Sequence, residues 1–233
     1  MSQRVCVVVG VGPGNGAAIA ERFAREGYSV ALLARSTQFT DELAARLPDA
    51  RAYACNVADG ASLQQALDGV RRDLGEIDAL VYNAGSGAWG SVEEISPAQL
   101  EAALQVNTIG LLMASQNVIP HMREARAGSI IVIGATASRR GGAKTAAFAP
   151  AKAAQRSLAE SMARHLWPAG IHVALVIIDG VVDLERTRAR MPDKADTFFV
   201  KPADVAAMVY AISEQPHSAW SFEVEARPFS ETW

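Results

Sequence analysis

The chain has 233 residues and a mass of 24.7 kDa, enough for one sizeable core. Half of the residues are hydrophobic and 20% are charged, which excludes a disordered chain, and 18 Gly with 10 Pro and no repeat exclude a collagen-like or low-complexity one. Twenty-two basic residues against 25 acidic ones leave a net charge of -3, so there is no basic field to displace the counterions of a nucleic acid, and no apolar run approaches the roughly 18 residues that span a bilayer.

In chain order, short β-branched runs alternate with longer amphipathic stretches. A strand is predicted over residues 4–9, a helix over 15–26 and a second strand over 29–34. The first helix places Ile19, Ala20, Phe23 and Ala24 on one face and Glu21, Arg22 and Arg25 on the other, with Gly27 as its stop. Further strands are predicted over 51–55, 77–82, 129–133, 171–178 and 222–226, and helices over 40–46, 62–73, 97–126, 150–167 and 202–214, with a break in the long one at Pro120. Continuous apolar strands separated by helices imply parallel right-handed crossovers. The expected fold is therefore an α/β, three-layer, Rossmann-type doubly wound parallel sheet of about seven strands in a single domain, 1–233.

Residues 179–201 show no clear strand and leave the carboxyl end of one, where open α/β sheets bind ligands, so they are expected to form a substrate-side loop or lid. The tail, 228–233, carries Phe229 and Trp233 and either reaches a neighbouring subunit or tucks onto its own. Cys6 and Cys55 lie inside apolar strand-type runs and read as buried small hydrophobes. His121, His165, His172 and His217 are far apart without ligand spacing, so no metal is expected. Gly10, Gly12, Pro13 and Gly14 interrupt the N-terminal apolar stretch too early for a secretory signal, and the chain reads as cytoplasmic, with no nucleic-acid or membrane partner.

Directly after the first strand stands Gly10-Val11-Gly12-Pro13-Gly14-Asn15-Gly16, opening into the first helix. Glycines there permit a tight turn and let backbone N–H groups approach a pyrophosphate, whose charge the helix N-terminus favours. With Gly10-x-x-x-Gly14-x-Gly16, Tyr82-Asn83-Ala84-Gly85 after the fourth strand, Val106-Asn107 in the long helix and Lys152 in the next one, the chain resembles the short-chain dehydrogenase/reductase family over nearly its whole length. The resemblance implies a 3-2-1-4-5-6-7 sheet, a nicotinamide dinucleotide, and a homodimer or homotetramer formed through the two long helices. It also implies cofactor contacts from Gly10, Gly12, Gly14, Asn15, Gly16, Asn83, Ala84, Gly85, Lys152 and, after the sixth strand, Gly180.

The second strand ends Leu33-Ala34-Arg35-Ser36. A carboxylate there would accept from a free ribose 2′-hydroxyl; Arg35 and Ser36 suit a 2′-phosphate instead, so NADP(H) is favoured over NAD(H). Asn56-Val57 stands where relatives often have Asp-Val beside the adenine, and an amide oxygen can still accept from the adenine amino group.

The catalytic positions depart from the pattern. The family's chemistry implies a Tyr, a Ser, a Lys and an Asn. Here the Tyr position is Phe148 and the Ser position is Ala135, while Asn107 and Lys152 match. No tyrosine lies between Val106 and Lys152, so no realignment restores the phenol. The candidate substitutes are Thr136, Ser138, Tyr82, Lys152 and Asp179, the last standing where relatives commonly have Pro in Pro-Gly; Asp179 either touches substrate or caps a turn, and Thr136 and Ser138 either act in catalysis or bond within their loop. Arg139, Arg140 and Lys144 form either a solvated loop or an attraction for an acidic substrate.

The function expected is an NADP(H)-preferring oxidoreductase acting on a small carbonyl or alcohol with a non-standard proton donor; the alternatives are a catalytically silent dinucleotide-binding sensor or regulatory module, and non-redox chemistry in the same pocket.

Overall fold

The computed structural model describes residues 3–230. Nine strands occur in it: β1 (Val5–Val9), β2 (Ser29–Ala34), β3 (Ala50–Ala54), β4 (Ile77–Tyr82), β5 (Ser129–Ala135), β6 (His172–Ile178), β7 (Val181–Val182), β8 (Phe199–Val200) and β9 (Glu223–Ala226). The helices are α1 (Asn15–Arg25), α2 (Gln38–Ala44), α3 (Gly60–Leu74), α4 (Pro97–Leu104), α5 (Gly110–Ala125), α6 (Phe148–Leu166), α7 (Glu185–Arg190) and α8 (Pro202–Ser213).

Seven strands form one sheet in the order β3-β2-β1-β4-β5-β6-β9, every pair parallel. The alternation of side chains along a strand divides the core in two. Val5, Val7 and Val9 join Leu63, Leu67, Leu111, Ala159 and Leu166 on one face; Cys6 and Val8 join Ile19, Phe23, Leu43, Val205 and Val209 on the other. Helices α3, α5 and α6 thus cover one side, and α1, α2 and α8 the other. This is the expected three-layer, doubly wound sheet. Strand order reverses at β1, so the loops after β1 and β4 diverge at the carboxyl edge and open a crevice.

Local chemistry sets the ends of the helices. Asp59 accepts from the Ala61 N–H at 2.9 Å at the start of α3, Ser96 and Gln99 form a reciprocal capping box on α4, and Gly27 and Gly75, at φ of +85° and +109°, follow α1 and α3 in a conformation side chains resist. Both cysteines are buried and free.

Three expectations need correction. Pro120 does not break its helix: α5 runs through it, losing one backbone bond while Leu111, Ala114, Val118 and Met122 keep the inner face buried. The irregularity lies earlier, in a π-helical turn over Gln105–Ile109 that directs Asn107 inward. Helix α6 begins at Phe148 rather than at Pro150, since a proline in the first turn gives up an N–H that has no partner there anyway. Residues 179–201, expected to lack strands, contain the parallel pair β7 and β8 and the short α7. Arg188, bonded to Asp183 at 2.7 Å and to Asp196 at 2.6 Å, ties this segment together.

Phe229 is exposed, whereas Trp233 lies outside the described residues. No helix among the described residues is long and apolar enough to cross a membrane.

Candidate active site and cofactor cleft

The glycine loop is built by close approach. Gly10, at φ +86°, donates to the Leu33 carbonyl at 2.9 Å, and a methyl group built on it would fall 2.5 Å from Ala84 Cα. Asn83 Nδ2 donates to the Gly10 carbonyl at 2.7 Å, so the turns after β1 and β4 are locked together. Gly16 packs onto the same carbonyl. Gly14, at φ +112°, precedes α1, and no side chain caps that helix. A side chain on Gly12 would meet nothing within 4 Å, and Asn15 Oδ1 is buried without a hydrogen-bond partner. An uncapped helix N-terminus beside open space is suited to an anionic group. Leu184, from the segment after β6, lies against Gly14.

At the end of β2, Arg35 and Ser36 are exposed, and Arg35 has no carboxylate partner among the described residues. Asn56 Oδ1 already accepts from the Ala58 N–H at 3.2 Å, which leaves one lone pair for a further donor. Val57 is buried against Gly110.

A buried polar cluster joins α6, β5 and the π turn. Lys152 is 5% exposed, and its Nζ donates to the Ile133 carbonyl and to Gln155 Oε1, both at 2.9 Å. Burial lowers its pKa from 10.5 to about 8. Asn107 Nδ2 donates to the Ser86 and Ala103 carbonyls at 2.7 and 2.8 Å, while its Oδ1 is buried with no partner. Gly85 lies between these groups: a methyl built on it would come 3.3 Å from Asn107 Oδ1 and 3.6 Å from Lys152 Nζ. Lys152, Asn107 and Gly85 therefore converge.

Phe148 lies one turn before Lys152 on α6, its ring centroid 5.3 Å from that of Trp89. Among the proposed substitutes for a phenol, Tyr82 is excluded: it is fully buried, its hydroxyl donates to the Val106 carbonyl at 2.6 Å, and burial raises its pKa. Ser138 is buried and its Oγ accepts from the Ala135 N–H at 3.1 Å, closing a 3₁₀ turn over Thr136–Ser138. Thr136 Oγ1 donates to Asp179, so its proton is committed and only lone pairs remain for another partner.

Asp179 is neither a lone carboxylate nor a turn cap. It is buried, accepts from Thr136 and Arg227, and has Arg140 Nη2 at 3.5 Å. Arg227 also reaches Glu225, and Arg139 binds Glu223 and Glu225. Lys144 pairs with Glu94 at 2.8 Å. Of the basic loop, Arg140 alone remains largely exposed with only a long contact. Gly180 is required by packing, since a methyl there would fall 2.7 Å from Pro228 Cδ and 2.8 Å from Val200 Cγ2.

Two participants escaped the sequence reading. Gln155 was legible in principle as an i,i+3 neighbour of Lys152 on one helix face. Arg227 had no sequence signal, because only the pairing of β6 with β9 brings it to Asp179.

The short chain dehydrogenase family model matches residues 4–195. The chain is 30% identical over 192 residues to the 3-oxoacyl-acyl-carrier-protein reductase FabG of Salmonella typhimurium, covering 82% of this chain and 78% of that one. It is 36% identical over 132 residues to the D-threitol dehydrogenase of Mycolicibacterium smegmatis, covering 55% and 51%. A metagenomic short-chain oxidoreductase crystallised with NADP superposes with a TM-score of 0.84 at 28% identity, covering 99% of both chains. Such proteins bind a nicotinamide dinucleotide, and the residues here fit one: the uncapped start of α1, the open space at Gly12, and the partnerless buried oxygens of Asn15 and Asn107. The locked glycine loop, the parallel sheet around it and these matches make the chain a member of the short-chain dehydrogenase/reductase family and an oxidoreductase by kinship.

Proposed function

We propose that the protein is an NADP(H)-preferring oxidoreductase of the cytoplasm that passes hydride between the nicotinamide and a small carbonyl or alcohol, with Lys152 as proton donor in place of the absent phenol. The observation that carries this reading is the setting of Lys152: two of its three N–H groups are held by Ile133 and Gln155, the third has no acceptor among the described residues, and Gly85 lies beside the ammonium. The other candidates are committed elsewhere, Tyr82 to Val106, Thr136 to Asp179, and Ser138 to its own turn.

When bound, the nicotinamide supplies the hydride or accepts it. Lys152 provides a positive charge beside the developing alkoxide and, with a pKa of about 8, a proton that can be surrendered near neutral pH. Thr136, oriented by Asp179, accepts a hydrogen bond from the substrate side. Selection of the phosphorylated carrier is assigned to Arg35 and Ser36, supported by the absence of a carboxylate partner for Arg35 among the described residues. Gly10, Gly12, Gly14, Asn15 and Gly16 take the pyrophosphate, Asn56 and Val57 the adenine side, and Asn83, Ala84, Gly85, Lys152 and Gly180 the nicotinamide side.

The same reading makes residues 179–201 the substrate-side lid, supported by Leu184 resting on Gly14, and makes the protein a homodimer or homotetramer, supported by Ile109 and Leu112, large apolar side chains left exposed on the long helix. Calorimetric titration with NADPH and NADH, followed by a panel of ketones, quinones, imines and enones, tests it. Tight NADPH binding with cofactor oxidation on some member is expected. A folded protein that binds neither carrier would sink the reading, and binding without turnover on any member would favour the silent sensor.

A further inference from the structure

Eight α6 side chains are buried, and six of them are apolar: Ala149, Ala151, Ala159, Met162, Ala163 and Leu166. The other two are Lys152 and Gln155, one helical turn apart. Gln155 is fully buried, and its amide is used at both ends: Oε1 accepts from Lys152 Nζ at 2.9 Å, and Nε2 donates to the Asn107 carbonyl at 2.8 Å. The chemistry permits only this orientation. Reversed, the amide would set NH2 against an ammonium and one carbonyl oxygen against another. A leucine would fill similar space without the desolvation cost of an amide, so the polar group has to be explained by what it holds.

The bridge has a chemical consequence. A water between Lys152 and the Asn107 carbonyl would exchange protons with the ammonium; a carboxamide accepts a hydrogen bond from Lys152 but does not pass the proton on. With Ile133 holding a second N–H, the third has no acceptor among the described residues, and Gly85 is the neighbour beside the ammonium. The neighbouring elements present no competing ionisable partner. Tyr82 on β4 is turned to Val106, Asp179 after β6 is turned to Thr136 and Arg227, and no charged group contributes to the lowering of the Lys152 pKa, which burial causes.

We propose that Gln155 is a positioning residue for Lys152: it clamps the ammonium and seals its inner side, so that the Lys152 proton is exchanged only through the cleft. This rests on Lys152 carrying the proton, as proposed above, but it is tested on the protein without cofactor, so the two can fail separately. The measurement is NMR of the lysine side chains, 15Nζ for hydrogen exchange and 13Cε for titration, in the wild type, Q155A, Q155L and Q155E.

Q155A, which makes room for a water, is expected to speed exchange of the Lys152 ammonium at least about tenfold. Q155L, dry and space-filling, is expected to leave exchange slow and to lower the titration midpoint by about one pH unit through loss of an acceptor. Q155E restores an acceptor and is expected to return the midpoint to the wild-type value or above it. Exchange in Q155A no faster than in the wild type overturns the seal. If Q155A does not fold, an unchanged midpoint in Q155L and Q155E overturns the clamp. Loss of NADPH binding by the wild type would instead overturn the proposed function and leave the exchange result standing.

Discussion

Replacing Lys152 by methionine removes the charge while keeping most of the length, and the consequence for stability can be worked out in advance. Burial lowers the pKa of Lys152 from 10.5 to about 8. Each tenfold change in proton affinity is about 1.4 kcal/mol, so holding the ammonium inside the fold costs about 3 kcal/mol relative to holding the neutral amine. The sign follows from proton counts. Below pH 8 both folded and unfolded chains carry the proton and the cost is present in full; between pH 8 and 10.5 the unfolded chain binds more protons, so the wild type gains stability as pH rises; above 10.5 both are neutral and the gain is complete. The variant lacks this dependence. It also leaves the Ile133 carbonyl and Gln155 Oε1 short of a donor, a penalty of about 1–3 kcal/mol that does not change with pH. The quantity to measure is therefore the wild-type minus K152M unfolding free energy, from urea melts at pH 7, 8, 9 and 10, in which titrations elsewhere cancel. It should be level up to about pH 8 and then climb by about 1.4 kcal/mol per pH unit. A difference that stays flat to pH 10 would refute the buried, proton-binding Lys152 on which the proposed chemistry depends.

Other perturbations separate the remaining roles. R35A should weaken NADPH binding by about 10- to 100-fold, the worth of a charge-assisted hydrogen bond, and leave NADH binding unchanged; equal losses for both carriers would remove Arg35 from phosphate recognition. The double change Phe148→Tyr with Ala135→Ser should create or raise carbonyl reductase activity by about 10²- to 10⁴-fold, and no gain in a folded protein that binds NADPH would argue against the alignment of these positions. Tyr82→Phe leaves the buried Val106 carbonyl without its donor and should cost about 1–3 kcal/mol in chemical denaturation while turnover is retained, whereas loss of turnover at full stability would return Tyr82 to the chemistry. In the reductive direction kcat should fall as pH rises through about 8, where Lys152 gives up its proton, and a profile level through pH 10 would exclude it as the donor.

Much of the architecture is written in local patterns. The runs at Val5–Val9 and His172–Ile178 are apolar without interruption because both faces of a parallel strand are covered, and Gly27 and Gly75 stop helices through backbone conformations no neighbour has to impose. The glycine loop, Asn83-Ala84-Gly85, Asn107 and Lys152 were legible for a related reason: each is a residue type with one conformational or chemical use at its place in the pattern. The π turn was not legible, because Gln105–Ile109 contains no breaker, and Pro120 gave a misleading cue because burial of Leu111, Ala114 and Val118 outweighs one lost backbone bond.

What the amino-acid order determined alone was the kind of fold and the family, since periodicity, glycine conformation and the spacing of motif residues are local properties. Tertiary structure alone decided which ionisable groups remain available for chemistry. Asp179 meets Arg227 only because β9 lies beside β6, and Tyr82 spends its hydroxyl on Val106 only because the π turn reaches it. Lys152 is held by Ile133 and Gln155, the first brought to it by the packing of α6 on β5. Electrostatic partnership depends on distance through space, and distance along the chain carries no record of it.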